Sequence, residues 1–309
     1  MDATLIAVAA LWGAATGLLV PRAAYRFSVE PEEVWRDACP AGHPLTGPGG
    51  GWFGPARCTA CASVALTPAP RTTAPADHGP DVDRAPEATE DREAASGPEA
   101  TADAPADAPA DAVPGPVPGA DRIPVTPGGR YAPRVLAPVI TALACTALAA
   151  GTGTRPELAA WLLLAPVAVL LAVVDSRVHR LPDPLTLPLA GAAVLLLGAV
   201  ALLPEHAGSW TSGLLGGLAL GGFYFVLFLI NPNGMGFGDV KLALALGIAL
   251  GWYGWAVLFV GAFAGFLYGA VYGLALVILR RAGRRTGIPF GPFMIAGALT
   301  GLLLGALAA

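Results

Sequence analysis

Eight apolar stretches, most of them close to twenty residues long, dominate this sequence of 309 residues. In a helix, about twenty apolar residues span the hydrocarbon core of a bilayer. Hydrophobic residues make up 55% of the chain and charged residues only 13%, about half the charged fraction of a soluble domain. The sequence therefore predicts an all-α fold, a polytopic membrane bundle of about eight transmembrane helices. We place these helices near residues 3–20, 135–152, 157–174, 184–203, 210–230, 239–252, 254–279 and 290–308.

Basic residues lie in alternate loops of this predicted bundle. Lys and Arg follow the first, third, fifth and seventh apolar stretches, whereas Arg155 is the single basic residue of the other loops. Because positively charged loops stay in the cytoplasm, this alternation predicts that the basic loops are cytoplasmic and that both termini lie outside. No Lys or Arg precedes the first stretch, so we expect an uncleaved helix there rather than a secretory signal peptide.

The predicted cytoplasmic insert between the first two helices changes composition near residue 70. From Pro70 to Val125 twelve acidic residues stand against four arginines, so this segment carries a charge of −8 and the rest of the chain +4. Few large apolar residues occur there, which predicts a disordered linker over residues 70–134. Residues 1–20 then form the first transmembrane helix, 21–69 a cytoplasmic loop and 135–309 the main membrane domain. The basic remainder suits membrane loops and does not indicate a nucleic-acid partner.

Two aspartates lie where an apolar stretch meets a cytoplasmic loop. Asp175 ends the third stretch, and Asp239 opens the sixth after a glycine-rich turn. They are 64 residues apart in the chain, but the intervening helices can bring them together. An ionisable residue at the end of a membrane helix is a candidate for function. Taken singly, each could also be an ordinary helix-end charge, and Asp239 could cap a helix N-terminus.

As a pair, these carboxylates suit general acid–base chemistry. At a separation of a few ångströms they cannot both ionise cheaply, so they would share a proton and titrate together. One can then accept a proton from an attacking water while the other protonates or hydrogen-bonds the developing oxyanion. Glycines at 234, 236 and 238 leave room for an extended substrate strand beside Asp239.

Three segments around these residues resemble the signatures of the type IV prepilin peptidases, which are aspartyl proteases with a Gly-x-Gly-Asp motif. They are Asp175 with the segment Leu181–Pro188, the segment Gly236–Lys241, and the segment Ile288–Phe293. The resemblance covers residues 135–309. It implies an intramembrane endopeptidase of the bacterial inner membrane, with its active site facing the cytoplasm. Its substrates would be the leader peptides of type IV prepilin or pseudopilin precursors.

Carried over residue by residue, the resemblance makes Asp175 and Asp239 the catalytic pair, with no metal or cofactor in the peptidase step. Asp183 is the nearest rival to Asp175, and we expect it to shape its loop and cap the following helix. Lys241 can anchor at the membrane surface, or bind a lipid phosphate or an acidic residue of the substrate. The other motif residues predicted to support the site or the substrate are Gly236, Gly238, Pro289 and Gly291.

Two short motifs in residues 21–69 have the spacing of metal ligands. Cys39 precedes His43 by four residues, and Cys58 precedes Cys61 by three. Together they supply the four ligands of a tetrahedral zinc. Prepilin peptidases carry two Cys-x2-Cys pairs in this loop, and Gly42 stands where one of those cysteines would be. The pattern predicts a structural zinc with His43 as the substitute ligand. The alternative is a relic, with Cys58 and Cys61 as a redox pair or free thiols.

Full-length members of the family also methylate the new N-terminus of the processed pilin with S-adenosylmethionine. The loop tied to that activity is degenerate here and lacks a glycine-rich turn after a strand, so we expect the peptidase first and a bifunctional enzyme only as an alternative. Two further alternatives are a transporter, which would show an internal repeat that this sequence lacks, and a non-catalytic membrane scaffold. The oligomeric state does not follow from the sequence.

Overall fold

The computed structural model describes residues 3–30, 33–66, 135–232, 234–279 and 288–309. Within these residues the regular structure is helical, which confirms the predicted all-α class, and an isolated β-bridge joins Ala38 to Pro44. The linker predicted over residues 70–134 lies outside the described residues. The helices are α1 (Ala3–Gly17), α2 (Val20–Phe27), α3 (Pro48–Gly51), α4 (Thr59–Leu66), α5 (Leu136–Thr152), α6 (Glu157–Val178), α7 (Asp183–Val200), α8 (Trp210–Ile230), α9 (Phe237–Trp252), α10 (Trp255–Ile278) and α11 (Gly291–Ala308).

Six segments of the described chain are long and apolar enough to cross a bilayer, so this is a multi-pass membrane protein. They are α6, α7, α8, α10, α11 and the segment Ala3–Phe27, which joins α1 to α2. Two further apolar helices are shorter, α5 with 17 residues and α9 with 16. The first span runs past the predicted end at residue 20, because backbone hydrogen bonds from Leu18 to Ala14 and from Ala23 to Leu19 continue the helical path to Phe27.

Helix α9 is short because protein surrounds it. It packs against α7, α8, α10 and α11, and twelve of its sixteen residues are buried. A helix enclosed in this way meets other helices rather than lipid along its length, so it need not match the thickness of the hydrocarbon core. Its packing against these helices sets the position of its first turn in the bundle, and Asp239 lies in that turn.

Glycines allow α8 and α9 to approach closely. A Cβ atom added to Gly247 would lie 2.5 Å from the carbonyl oxygen of Gly216, and one added to Gly251 would lie 2.7 Å from that of Ser212. Small residues at such contacts let helix backbones meet in a membrane. Side chains at these positions would push α9 away from α8 and move its first turn.

The loop that follows α2 packs back onto this helix. Arg22 and Arg26 are both buried, and their guanidinium groups donate to the carbonyl oxygens of Thr46 at 2.7 Å and Gly50 at 2.9 Å. Arg26 also lies 4.1 Å from the ring centroid of Trp52, a cation–π contact. These contacts tie the loop to the first membrane span. The loop has a small core of its own, formed by Tyr25, Cys39, Leu45, Ala56 and Cys58.

Candidate active site

Asp175 is held near the C-terminal end of α6 by a backbone donor from another helix. Its side chain is buried, and Oδ2 accepts a hydrogen bond of 2.9 Å from the backbone N–H of Gly291. Gly291 is the first residue of α11, where N–H groups have no partner within the helix and carry partial positive charge. The third sequence signature therefore contacts the first aspartate through its backbone.

Gly291 has no room for a side chain. A Cβ atom at this position would lie 2.8 Å from Oδ2 of Asp175, closer than ordinary van der Waals contact. Pro289 lies in the segment that leads into α11, and Pro292 lies in the first turn of that helix. Both rings restrict the backbone at the point where the chain enters the helix.

Asp239 is the third residue of α9 and is also buried. Its carboxylate accepts a backbone hydrogen bond from Gly236, the residue that precedes the helix. An acidic side chain in the first turn that reaches back in this way satisfies one free N–H group of the helix end. Asp239 thus also has the helix-end role that the sequence offered as an alternative.

The structure brings the two predicted catalytic residues together. The carboxylates of Asp175 and Asp239 interact electrostatically, and both lie at the same end of the bundle, between α6, α9 and α11. Tyr224 of α8 is 2% exposed and also interacts with Asp239. Sequence reasoning missed Tyr224, because a tyrosine within an apolar stretch has the pattern of a packing residue.

The two glycines of the second motif differ in their surroundings. A Cβ atom on Gly238 would lie 2.8 Å from Cβ of Leu181, in the loop between α6 and α7. One on Gly236 would meet Oδ2 of Asp239 at 3.7 Å, an ordinary contact. Gly238 is therefore required for packing, whereas Gly236 leaves open space beside the carboxylate.

Asp183 and Lys241 form an ion pair of 2.6 Å between the start of α7 and the first turns of α9. Helix α7 begins at Asp183 itself and its N-cap residue is Pro182, in extended conformation, so the prediction that Asp183 caps this helix is wrong. Lys241 is only 16% exposed and also lies 5.0 Å from the ring centroid of Phe237. It is a partner of Asp183 rather than a free anchor in the lipid surface.

The four predicted metal ligands also come together. Nδ1 of His43 lies 3.2 Å from Sγ of Cys61 and 3.6 Å from Sγ of Cys39, and these two sulfur atoms are 3.7 Å apart. With Cys58 they form a group whose ligand atoms all lie within 4.8 Å of one another. Zinc–sulfur bonds of about 2.3 Å in a tetrahedral site separate the sulfur atoms by about 3.8 Å. The donor set and its spacing therefore fit zinc.

Gly42 shapes the turn that carries two of these ligands. Its φ is +81°, in the region that favours glycine. The turn is closed by hydrogen bonds of 2.8 Å from the Cys39 amide to the His43 carbonyl and from the Gly42 amide to the Cys39 carbonyl. A residue with a side chain would be strained here, so Gly42 serves the turn that brings His43 next to Cys39.

The thiols of Cys58 and Cys61 differ in proton affinity. Burial raises the pKa of the Cys61 thiol to about 12, and its contacts with Cys39 and Cys58 add to that rise. Burial acts in the same direction on Cys58, but hydrogen bonds from the backbone and thiol of Cys61 outweigh it and lower the pKa of Cys58. Cys58 is therefore the first of this pair to ionise.

The segment that contains both aspartates matches a known family. Residues 162–278 match the model of the type IV leader peptidase family. This segment of the chain is therefore similar to the type IV leader peptidases. The third signature, around Gly291, lies beyond the matched residues.

Three relatives from different bacteria are each called a prepilin leader peptidase/N-methyltransferase. That of Aeromonas salmonicida is 37% identical over 174 residues, which cover 55% of this chain and 56% of the relative. That of Pseudomonas aeruginosa is 33% identical over 186 residues (58% and 59%), and that of Bacillus subtilis 34% over 169 residues (52% and 63%). The chain spans a little over half the length of the curated relatives it matches. No solved structure gives a significant match.

Proposed function

We propose that this protein is an intramembrane aspartyl endopeptidase that removes the leader peptide from type IV prepilin-like or pseudopilin-like precursors. The observation that carries the proposal is the meeting of two buried carboxylates, Asp175 and Asp239, within a segment of the type IV leader peptidase family. Each lies at a helix end, where an extended peptide can reach it from the membrane boundary.

The dyad would activate a water molecule against the scissile carbonyl. The N–H of Gly291 and the positive end of α11 hold one oxygen of Asp175 and offset its charge. The other oxygen is left to accept a proton from the water. Asp239 would donate a hydrogen bond to the carbonyl oxygen as negative charge develops there, and the proton taken from water would pass to the leaving amine. No metal takes part in these steps.

The space beside Gly236 suits the substrate strand. Because a Cβ atom at this position would meet only ordinary contacts, the glycine is not required by packing. Its open side lies next to the Asp239 carboxylate, where a peptide backbone must approach for cleavage. The positive-inside pattern supports a cytoplasmic orientation of this site in the bacterial inner membrane.

Amide variants of the aspartates test the proposal. Asp175→Asn and Asp239→Asn should each lower leader removal by at least about 100-fold, because an amide can neither accept the proton nor share it. The assay is co-expression with a candidate precursor from the same genome, followed by mass analysis of the precursor's N-terminus. Asp37→Asn, which changes an exposed acid of the cytoplasmic loop, is the matched control. Near-normal cleavage by either dyad variant, at equal membrane content, would refute the assignment.

We also propose that Cys39, His43, Cys58 and Cys61 hold one structural zinc ion. The ligand spacing and the tight turn at Gly42 support it. Bound there, the metal would supply a cross-link between two turns of a loop that has only a small core. Its four residues belong to the loop on α2, apart from the helices that carry the aspartates, so it would act on folding rather than on cleavage.

Methylation of the processed N-terminus with S-adenosylmethionine is the second activity in the names of the relatives. For this chain it stays the lesser alternative. The same mass analysis tests it, because a methylated product is heavier by one methyl group than the product of cleavage alone.

A further inference from the structure

An apolar cavity lies between the membrane helices, apart from the aspartates. Its volume is ≈ 520 Å³, and its walls come mainly from α5, α6, α9 and α11. Ten of its 26 lining residues are alanines, and their short side chains create the space. On α6 these include Ala165, Ala168 and Ala172, which follow one another at helical spacing.

This cavity is distinct from the proposed catalytic site. Its α6 wall includes the residues on either side of Asp175, namely Val173, Ser176 and Arg177, but Asp175 itself is not in the lining, and neither is Asp239. Asp175 is turned toward the Gly291 amide instead. The cavity therefore lies on another face of α6 from the Asp175 carboxylate.

The dimensions of the cavity suit a hydrocarbon chain. Its wall on α6 extends from Trp161 to Arg177, about 24 Å at the rise of an α-helix. With a volume of ≈ 520 Å³, the cavity is a long apolar column. An extended acyl chain, whose carbon atoms contact neighbours at about 4 Å, fits such a column.

Positive charge marks one end of the column. Arg177 lines the cavity at the end of α6, and Arg36 of the cytoplasmic loop is close enough to act on it electrostatically. In the part of the chain that the structure describes, an ion pair joins Asp183 to Lys241. Within those same residues, neither Arg177 nor Arg36 has an acidic partner. One arginine in the lining and a second within electrostatic range of it favour an anionic group attached to an apolar chain.

We propose that this cavity is a binding site for an anionic phospholipid. One acyl chain fills the column along α6, and the phosphate contacts Arg177 and Arg36. The lipid fills a space that the short alanine side chains leave open, and it joins the cytoplasmic loop to the membrane bundle through its headgroup. This site does not depend on the proposed peptidase activity.

The test uses the purified full chain in detergent with defined lipid added. Dioleoyl phosphatidylglycerol should raise the melting temperature and remain bound in native mass spectrometry, and dioleoyl phosphatidylcholine should do so at least about tenfold more weakly, since it lacks net charge. Arg177→Gln should remove most of that preference, while Arg180→Gln, an exposed arginine outside the cavity lining, should retain it. Ala168→Phe should abolish binding of both lipids, and Ala256→Phe, on the exposed face of α10, should not.

Three results would overturn the proposal. Equal retention of the two lipids by the wild-type chain would exclude the charged end of the site. Equal protection by inorganic phosphate would show an anion site without an acyl chain. Displacement of bound phosphatidylglycerol by a synthetic peptide of a precursor's apolar helix would assign the cavity to a peptide. If Ala168→Phe does not fold, the Arg177→Gln and Arg180→Gln comparison still decides the question.

Discussion

At the scale of single residues, the Gly291 amide sets the position of the Asp175 carboxylate. The donor is backbone and comes from the N-terminus of α11, 116 residues further along the chain. A carboxylate held at a helix N-terminus gains both a hydrogen bond and the favourable field of the helix. This contact fixes the position of Oδ2. The geometry of the dyad is therefore sensitive to any atom added at position 291.

Gly291→Ala should lower leader cleavage about 100-fold, because the new Cβ must displace the Asp175 carboxylate and misplaced catalytic groups cost rates of that order. Gly191→Ala is the matched control, since a Cβ atom there meets nothing within 4 Å. Rates of precursor processing, corrected for the amount of protein in the membrane, measure the effect. Full activity of Gly291→Ala would show that Asp175 works without this hydrogen bond.

The Asp183–Lys241 ion pair links the loop after α6 to the helix that carries Asp239. Partly exposed pairs stabilise by about 1 kcal/mol, so Asp183→Lys and Lys241→Asp should each lower kcat roughly fivefold. The double reversal should restore kcat, because the pair is re-formed with opposite polarity. Separate measurement of kcat and KM for a precursor peptide shows whether the pair positions the dyad or binds substrate. A double variant no better than the single ones would mean that the two residues act independently.

Some of the site could be predicted from the sequence, and some could not. Asp175 and Asp239 could be, because an acidic residue that closes or opens an apolar stretch is conspicuous. The Asp183–Lys241 pair could not, since a lysine at a membrane boundary suits lipid phosphate as well as an acid. The Gly291 hydrogen bond could not be predicted either, because its donor is a backbone N–H. Every residue except proline carries such a donor, so the sequence does not distinguish this one.

At the scale of helices, α9 shows why hydropathy does not give the number of spans directly. Hydropathy measures transfer into lipid, whereas α9 is enclosed by four other helices and its length is set by them. The close contacts of Gly247 with α8 make that enclosure possible. The sequence marks α9 as the shortest apolar stretch, but only the packing explains how it remains in the membrane domain.

The loop that carries the proposed zinc ligands is the second element with a testable property. Purified protein should contain about one equivalent of zinc, and Cys58→Ser should release it, because a site of this type needs all four ligands. Cys145→Ser, in the buried core of the bundle, should keep the metal. Elemental analysis measures the content. Chelation should leave leader cleavage nearly intact; its loss would tie the loop to catalysis, and absence of zinc would leave the cysteines as free thiols.

At the scale of the whole molecule, the acidic insert separates the proposed zinc ligands from the segment that carries both aspartates. Deleting residues 75–120 should leave leader cleavage within about twofold of wild type, because both aspartates lie in the segment 135–309 and polar linkers tolerate changes in length. Protease added to inside-out vesicles should cut between residues 70 and 125, as exposed polar chain is cut first. Cleavage there only in intact spheroplasts would reverse the predicted topology.

The general architecture followed from the sequence more fully than its details. Long apolar stretches predict helices and their order, because a bilayer admits few other structures. They do not predict that the first span continues to Phe27, since Arg22 and Arg26 look like the start of a loop. Their guanidinium groups are instead buried against the loop carbonyls, and partners so distant in the chain leave no local pattern.

The attachment of Asp175 to α11 also determines when the proposed site is complete. A ribosome makes α6, α9 and α11 in that order, and chains are built at about 5–20 residues per second. A nascent chain that has inserted α9 already holds both carboxylates, yet Asp175 still lacks its amide donor. The proposed site thus acquires its full set of contacts only after the α11 segment has entered the bilayer.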